Sequence, residues 1–312
     1  MVGKLSDDRM MSGSRIPTLY LWGYKDGHPW STPNDELRKS IAAKHGEPPE
    51  VRDLGDPALI GNWIEDAIVL NAAEELRLPT PLLSPPVIDR SDLFYQCSLD
   101  GLTTVPYSTT VFASDLVEID GGDASIELSG PIPIEAKSTS DYRRGDVPLY
   151  RGPVQLQLQM HSVNAEYGIL ATWHAQKERH IKIYRRDPEM QAILLELCKD
   201  FADRVASETF YTPVNIDDCT KSYEGGDTEV RELHSLADDV ERLVRLRQDA
   251  KELDVQIDAL QTKIMQEMQD SEVAVAGEHT VKWPRRHYKA QPEKVTPAKE
   301  ARTIRLKTLQ IQ

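Results

Sequence analysis

Residues 229–276 contain neither proline nor glycine. Within them Leu233, Leu236, Val240, Leu243, Leu246, Ala250, Leu253, Ile257, Leu260, Ile264 and Met268 recur at steps of three and four, with one irregular step at Leu246. That spacing is the seam of an amphipathic helix with a period close to 3.5 residues. It predicts one long helix over Glu229–Ala276 with a solvated, mixed-charge outer face. About 40 residues of it would span roughly 60 Å. The seam has two possible fates: association with a second copy, giving a homo-oligomer, or packing onto the rest of its own chain.

Charge divides the chain further. Residues 229–272 carry 12 acids and 6 bases, residues 273–312 carry 3 acids and 9 bases, and the first 228 residues carry 36 acids and 22 bases. The expected organisation is a core over 1–222, a linker over 223–228 containing Glu224-Gly225-Gly226-Asp227, the helix over 229–276, and a basic tail over 277–312. HTVKWPRRHYK and ARTIRLKTL in that tail alternate as strands do. The formal net charge of the 312 residues is -14, which argues against indiscriminate coating of nucleic acid but leaves a local carboxylate site open. Cys97, Cys198 and Cys219 are too scattered for a disulfide framework, a CxxC metal knuckle or a four-cysteine iron–sulfur cluster. No GxxxxGK[ST] loop is present, so no ATP motor is expected. His161, His174 and His180 lack zinc-site spacing and are expected to be structural. No apolar run approaches the ~20 residues of a membrane span, and MVGKLSDDRMMSGSR lacks the apolar region of a secretory signal. A cytoplasmic protein that does not enter membranes is expected.

Within the first 222 residues the elements alternate in type. Pro57 to Leu78 has helical apolar spacing and no internal proline, and the proline-rich break LPTPLLSPPV follows. Leu93–Cys97, Thr109–Ile119 and Ile132–Lys137 read as strands, with Asp120-Gly121-Gly122-Asp123 as a hairpin turn. Pro153 opens a helix, PVQLQLQMHSVNA. YGILATWH reads as a buried strand, HIKIYRR as a more exposed one, and Met190–Ser207 as an amphipathic helix. This order implies an α/β core.

The chemistry concentrates in PIPIEAKSTS. Alternate side chains of a strand share a face, so Glu135 and Lys137 point one way and Ile132, Ile134 and Ala136 the other. A carboxylate and an ammonium held two residues apart suit a hydrolytic metal site: the acid holds a divalent cation and the ammonium orients the attacking water. A solvated ion pair on an edge strand is the bland alternative. Asp100 in QCSLDG follows a strand candidate and precedes a glycine turn, which would place its carboxylate near a metal held by Glu135; taken alone, Asp-Gly reads as an ordinary turn. Glu65 shares a helix face with Gly61, Ile68, Val69, Ala72 and Leu76. A carboxylate among aliphatics needs compensation by a metal or a buried lysine, unless it snorkels out. Gln155 lies in the first turn of the Pro153 helix, in an amide run with Gln157 and Gln159; it could orient a water beside a metal or be polar filler.

These segments together resemble the YqaJ-type viral recombinases, the lambda-exonuclease-like family of the PD-(D/E)xK nuclease superfamily. The residues that carry the resemblance are Gly61 and Glu65 in GNWIE, Ser98-Leu99-Asp100-Gly101, Glu135-Ala136-Lys137, Arg143 six residues further on, and Gln155-Leu156-Gln157 with Met160. Ser14 in MMSGSR is the nearest match to a family serine, and Arg9 is the candidate for the basic residue upstream of it. The resemblance covers about residues 10–210. Pro106–Gly130 departs from it and reads as an inserted hairpin. The resemblance implies a PD-(D/E)xK fold, a mixed central sheet flanked by helices, and a Mg2+-dependent 5′→3′ exonuclease on double-stranded DNA, with Mn2+ substituting. Its implied metal ligands are Asp100, Glu135, the Ala136 carbonyl and, as an outer ligand, Glu65. Lys137 and Gln155 would position water, and Ser14, Ser98 and Arg143 would hold substrate phosphate. Its implied partners are DNA ends and a phage single-strand annealing protein that takes the 3′ overhangs. A structure- or site-specific endonuclease, and a non-catalytic DNA-binding scaffold on a degenerate nuclease core, are the alternatives.

Overall fold

The structure is a computed structural model that describes residues 7–25, 27–48, 55–139, 147–175, 177–223 and 230–285, without the side chains of residues 56–58. Two compact units meet between Cys219 and Thr220.

The first unit runs β1 (Met11–Ser12), α1 (Ile16–Tyr24), α2 (Pro33–Lys44), α3 (Gly55–Glu75), β2 (Leu82–Leu83), β3 (Ile88–Arg90), β4 (Tyr95–Cys97), β5 (Gly101–Phe112), β6 (Val117–Ile119), β7 (Ser125–Thr139), α4 (Pro153–Ser162), β8 (Tyr167–His174), β9 (Glu178–Arg185), α5 (Pro188–Ser207) and α6 (Ile216–Ser222), which crosses the unit boundary. A six-stranded sheet has the order β2-β5-β7-β8-β9-β6. β7 pairs parallel with β8 and β6 parallel with β9, while β2–β5, β5–β7 and β8–β9 are antiparallel. The sheet is therefore mixed and flanked by helices, the architecture that the resemblance implies. β1, β4 and β3 form a separate small sheet.

Both faces of the large sheet are covered. On one, Ile68, Val69 and Ala72 of α3 pack against Ile132, Ile134, Ala136 and Ile169. On the other, Leu156 and Met160 of α4 meet Leu170 of β8. The far side of α4 offers Val154 and Leu158 to a second core with Leu19 of α1 and Leu194 and Phe201 of α5. α1 and α2 add to the elements expected from sequence. Thr32 and Asp35 close a reciprocal capping box at the start of α2, with Pro33 in its first turn. Arg15, buried, ties the N-terminal segment down by bonding Glu36 Oε2 at 2.7 Å, Ser40 Oγ at 2.9 Å and the Met10 carbonyl at 3.1 Å.

Several expectations are corrected. The expected strand Thr109–Ile119 is two: β5 stops at Phe112, and β6 crosses to the far edge of the sheet to pair with β9. The Asp120–Asp123 turn, with Gly121 and Gly122 at φ of 84° and 77°, thus leads β6 into β7 without pairing them. The antiparallel partner of β7 is β5, and the outer arms of this pair contain most of the expected insertion. HIKIYRR is more enclosed than its charge suggests: His180, Ile181, Lys182 and Ile183 are buried because β6 covers what would otherwise be an edge. Leu93 lies in a 3-10 turn, leaving Tyr95–Cys97 as the strand, and α3 ends at Glu75 rather than Leu78.

In the second unit α7 covers Ala237–Met268, 32 residues or about 48 Å. The expected helix was longer at both ends. His234–Leu236 forms a 3-10 turn, and Gln269 takes a left-handed backbone with φ of 49°. Beyond it, Val273–Ala276 (β10) pairs with His279–Lys282 (β11), so alternating valine and alanine choose a hairpin over another helical turn. Leu246, Leu253, Ile257, Leu260 and Ile264 of the seam are all exposed. The tail from residue 286, including ARTIRLKTL, lies outside the described residues. Among the described residues no helix is long and apolar enough to cross a membrane.

Candidate active site

β7 is an interior strand, and this decides the character of the Glu-x-Lys pair. Glu135 is 1% exposed, beneath α4. Such a carboxylate is costly unless paired and hydrogen-bonded. The Lys137 ammonium bonds its Oε1, and Gln159 Nε2 donates to its Oε2 at 2.6 Å. The alternation of β7 puts Ile132, Ile134 and Ala136 on the opposite face, in the α3 core. A solvated pair on a sheet edge is excluded.

The end of β5 opens the site. The last residue pair of β5 and β7 is Gly101 with Ile134, so residues 135–139 run on past β5. The side chain of Asp100 fills the next position, its Oδ2 accepting the Ala136 amide at 2.8 Å. The N–H and C=O of a strand residue point to the same side, which directs the Ala136 carbonyl to the Asp100 side as well. By the same alternation the ring nitrogens of Pro131 and Pro133 face the other side, where β8 has not yet begun to pair. Two prolines are therefore tolerated in an interior strand.

Glu65 reaches this point from α3. A Cβ on Gly101 would lie 2.4 Å from Cγ1 of Val69, one helical turn after Glu65. Glycine thus allows α3 to lie close enough for Glu65 and Asp100 to share a hydrogen bond. Gly61 has no such role, since a Cβ there meets nothing within 4 Å. Burial and the charge of Glu135 raise the Glu65 carboxyl, against the pull of Lys137. Burial, then Glu135, raises the Asp100 carboxyl well above its usual value, with Lys137 and the Ala136 amide opposing. Burial pulls the Lys137 ammonium down, but Glu135, Asp100 and Glu65 outweigh it and hold it above the ordinary lysine value. Lys137 is therefore cationic at neutral pH.

The amide run divides by helical phase. Gln155 and Gln159, four apart, share the face toward β7. Gln155 Oε1 stands 3.5 Å from Lys137 Nζ. Gln159 bonds both Glu135 and the Ser98 carbonyl, the latter at 3.1 Å. Gln157 points away, donating to the Arg185 carbonyl and accepting the Asp187 amide at the start of α5. Gln159 is the site residue not singled out from sequence; its i,i+4 relation to Gln155 is the signal that would have found it.

The small sheet carries the two segments that lead to Ser14 and Ser98. β1 and β4 run parallel with Ser12 beside Gln96, and the Gly13 amide bonds the Gln96 carbonyl at 3.2 Å. Ser14 and Ser98 each lie two residues beyond this pair. A Cβ on Gly13 would stand 3.6 Å from Cγ of Gln155, so this segment borders the amide face. Ser14 is exposed, its Oγ 3.3 Å from Ser12 Oγ. Arg9 is exposed and bonds Asp7 through its guanidinium. Arg143 lies outside the described residues. The three histidines have structural surroundings: Tyr95 OH bonds His161 Nδ1 at 2.7 Å, and the rings of His174 on β8 and His180 on β9 lie 6.5 Å apart, with Glu118 of β6 against His180.

Among the described residues no three acid, histidine or cysteine side chains already stand as a coordination shell. Glu135 is taken up by Lys137 and Gln159, and Asp100 by an amide. The donor set nonetheless suits a hard divalent cation: three carboxyls face one lysine, two of them are raised by burial and then by the neighbouring Glu135, and a backbone carbonyl faces the gap. Gln159 Oε1, buried, has no hydrogen-bond partner among the described residues.

No protein-family model matches the chain, and no curated protein matches it. Among solved structures it is similar to an alkaline exonuclease, LHK-Exo, from Laribacter hongkongensis, at 12% identity and a TM-score of 0.45, over 65% of this chain and 90% of that one. It is also similar to a phage-related exonuclease from Haemophilus somnus 129PT, at 11% identity and a TM-score of 0.40, over 64% of this chain and 96% of that one.

Proposed function

We propose that this protein is a metal-dependent deoxyribonuclease, acting as a 5′→3′ exonuclease on double-stranded DNA and leaving 3′ overhangs. The observation that carries the reading is the meeting of Glu65, Asp100, Glu135 and Lys137 where β7 outruns β5, with Gln155 and Gln159 closing the site from α4. Asp100, Glu135 and the Ala136 carbonyl would hold Mg2+, or Mn2+ in its place, with Glu65 as the outer carboxylate. The cation supplies stabilisation of the charge that develops on the phosphate and leaving oxygen.

The chain's own groups do the rest. Lys137, whose Nζ is held by Glu135 and faces Gln155, positions the attacking water by a hydrogen bond and offsets negative charge. Gln155 Oε1 beside it accepts a hydrogen bond and fixes the orientation of Nζ and the water. Gln159 holds the Glu135 carboxylate in place. Ser14 and Ser98 offer hydroxyls to a terminal phosphate, and Arg143 joins them by the resemblance, which also supplies the polarity of digestion and the annealing partner. Digestion of an end-labelled linear duplex beside a closed circle, in Mg2+ and in EDTA, tests this. Loss of the linear duplex from its 5′ ends in Mg2+ alone is expected. Cutting of the circle would favour an endonuclease, and an intact duplex would remove the catalytic reading.

A further inference from the structure

Trp30 is 65% exposed, although its ring touches two others. Its centroid lies 4.9 Å from Tyr150 and 5.7 Å from His28, both nearly edge-on, and the Arg151 guanidinium stands 5.7 Å from its ring. With Arg151 over the ring, the rest of this largely exposed indole is turned to solvent. The loop that carries Trp30 does not depend on this ring for anchorage. Trp22 Nε1 bonds the Ser31 carbonyl at 2.8 Å, and the Thr32 capping box fixes the chain immediately afterwards.

The position ties this cluster to the site. Arg151 Nη1 bonds Thr139 Oγ1 at 2.5 Å. Thr139 lies two residues beyond Lys137 on the same face of β7, roughly 7 Å along the strand. Tyr150 and Arg151 end the short turn directly before α4, and Gln155 comes one helical turn later. Arg151 thus ties the aromatic cluster, carried by the segment before α2 and the turn before α4, to the strand that bears Lys137.

Aromatic faces beside a cation bind nucleic acid by stacking on bases, and only a base freed from its pair can present its face to them. We infer that Trp30, backed by Tyr150 and Arg151, is a stacking platform for an unpaired base of the DNA strand next to the phosphate in the site. The inference rests on the nuclease reading for its ligand and extends it to a substrate feature, a frayed or single-stranded end.

Binding in EDTA, where hydrolysis is absent, separates the two. Duplex DNA with an unpaired terminal 2-aminopurine is compared with the same duplex fully paired. The full-length protein should quench the unpaired probe. Trp30→Ala should bind that probe about five- to a hundredfold more weakly, with little change on the paired duplex and an unchanged melting temperature. Trp30→Phe, which keeps a π-face, should retain most of the binding. Equal affinity of wild type and Trp30→Ala for the unpaired probe would overturn the platform. So would a loss shared by both DNAs and accompanied by a lower melting temperature, since the ring would then merely pack the loop. Mg2+-dependent digestion without quenching sinks the platform alone. Quenching through Trp30 without digestion leaves the platform standing and removes the nuclease reading. Absence of DNA binding by the wild type removes both.

Discussion

Replacing Asp100 with Asn tests the electrostatics of the site through stability rather than turnover. The amide keeps the shape of the side chain and an oxygen for the Ala136 N–H, which the carboxyl accepts at 2.8 Å. It removes one of three mutually repelling carboxylates. The sign follows from the raised Asp100 pKa. A carboxyl whose pKa is higher in the folded state favours folding most below its unfolded value, and this contribution is lost as pH rises through the folded value. Near pH 3.8, the ordinary value for this group, wild type and variant should differ little. Above it, in EDTA, Asp100→Asn should become progressively the more stable protein. The gap should widen by at most about 1.4 kcal/mol per pH unit, the limit for one proton, until Asp100 ionises in the folded state. Urea melts of both proteins at intervals from pH 4 to 8 measure it. Saturating Mg2+ should shrink or reverse the gap, because only the wild type retains the ligand. A variant less stable than wild type throughout this range in EDTA would refute the reasoning: the carboxylate would then be a net stabiliser with its repulsion already compensated.

Lys137→Ala should lower the cleavage rate by about a hundredfold or more, the scale of a lost positioned donor, while binding to duplex ends stays near wild type; full turnover would remove Lys137 from the chemistry. Gly101→Ala should cost about 1–3 kcal/mol of stability and also lower activity, because the new methyl meets Val69 at 2.4 Å and pushes Glu65 from Asp100; unchanged melting and rate would show that α3 has room to yield. Leu253→Asp with Leu260→Asp should lower the mass seen by light scattering if the α7 seam joins copies; an unchanged mass would place any assembly on other surfaces.

What could be read from the sequence follows from which signals are local. β8 was legible to the residue because YGILATWH is apolar and β-branched between polar breaks. Glu135 and Lys137 were legible because strand alternation fixes their shared face wherever the strand lies. That β7 is interior, which makes the pair buried and consequential, depends on β5 and β8 and is not a local property. The same holds for β6: Val117–Ile119 leaves its neighbours to cover β9, and no periodicity announces that crossing. It also explains why His180 and Lys182 are buried against the expectation from their polarity. α2 did carry a local signal, Thr32-Pro33-Asn34-Asp35, but its few apolar residues set no strong stripe. Among the glutamines, composition alone could not choose. Helical phase pairs Gln155 with Gln159 and sends Gln157 elsewhere, and only the packing of α4 on β7 shows which face meets Glu135.

The most direct measurement of the central claim is the single-turnover cleavage of an end-labelled duplex by the wild type and by Glu135→Gln, each across a titration of Mg2+. Glu135 is buried beneath α4 and touches both Lys137 and Gln159, so the substitution alters the centre of the arrangement with little change of shape. The account predicts a wild-type rate that rises from nothing in EDTA and saturates with Mg2+. It predicts that Glu135→Gln binds the duplex but fails to cleave it at any Mg2+ concentration that saturates the wild type. Cleavage by the wild type in EDTA, or equal rates for the two proteins in Mg2+, would contradict it.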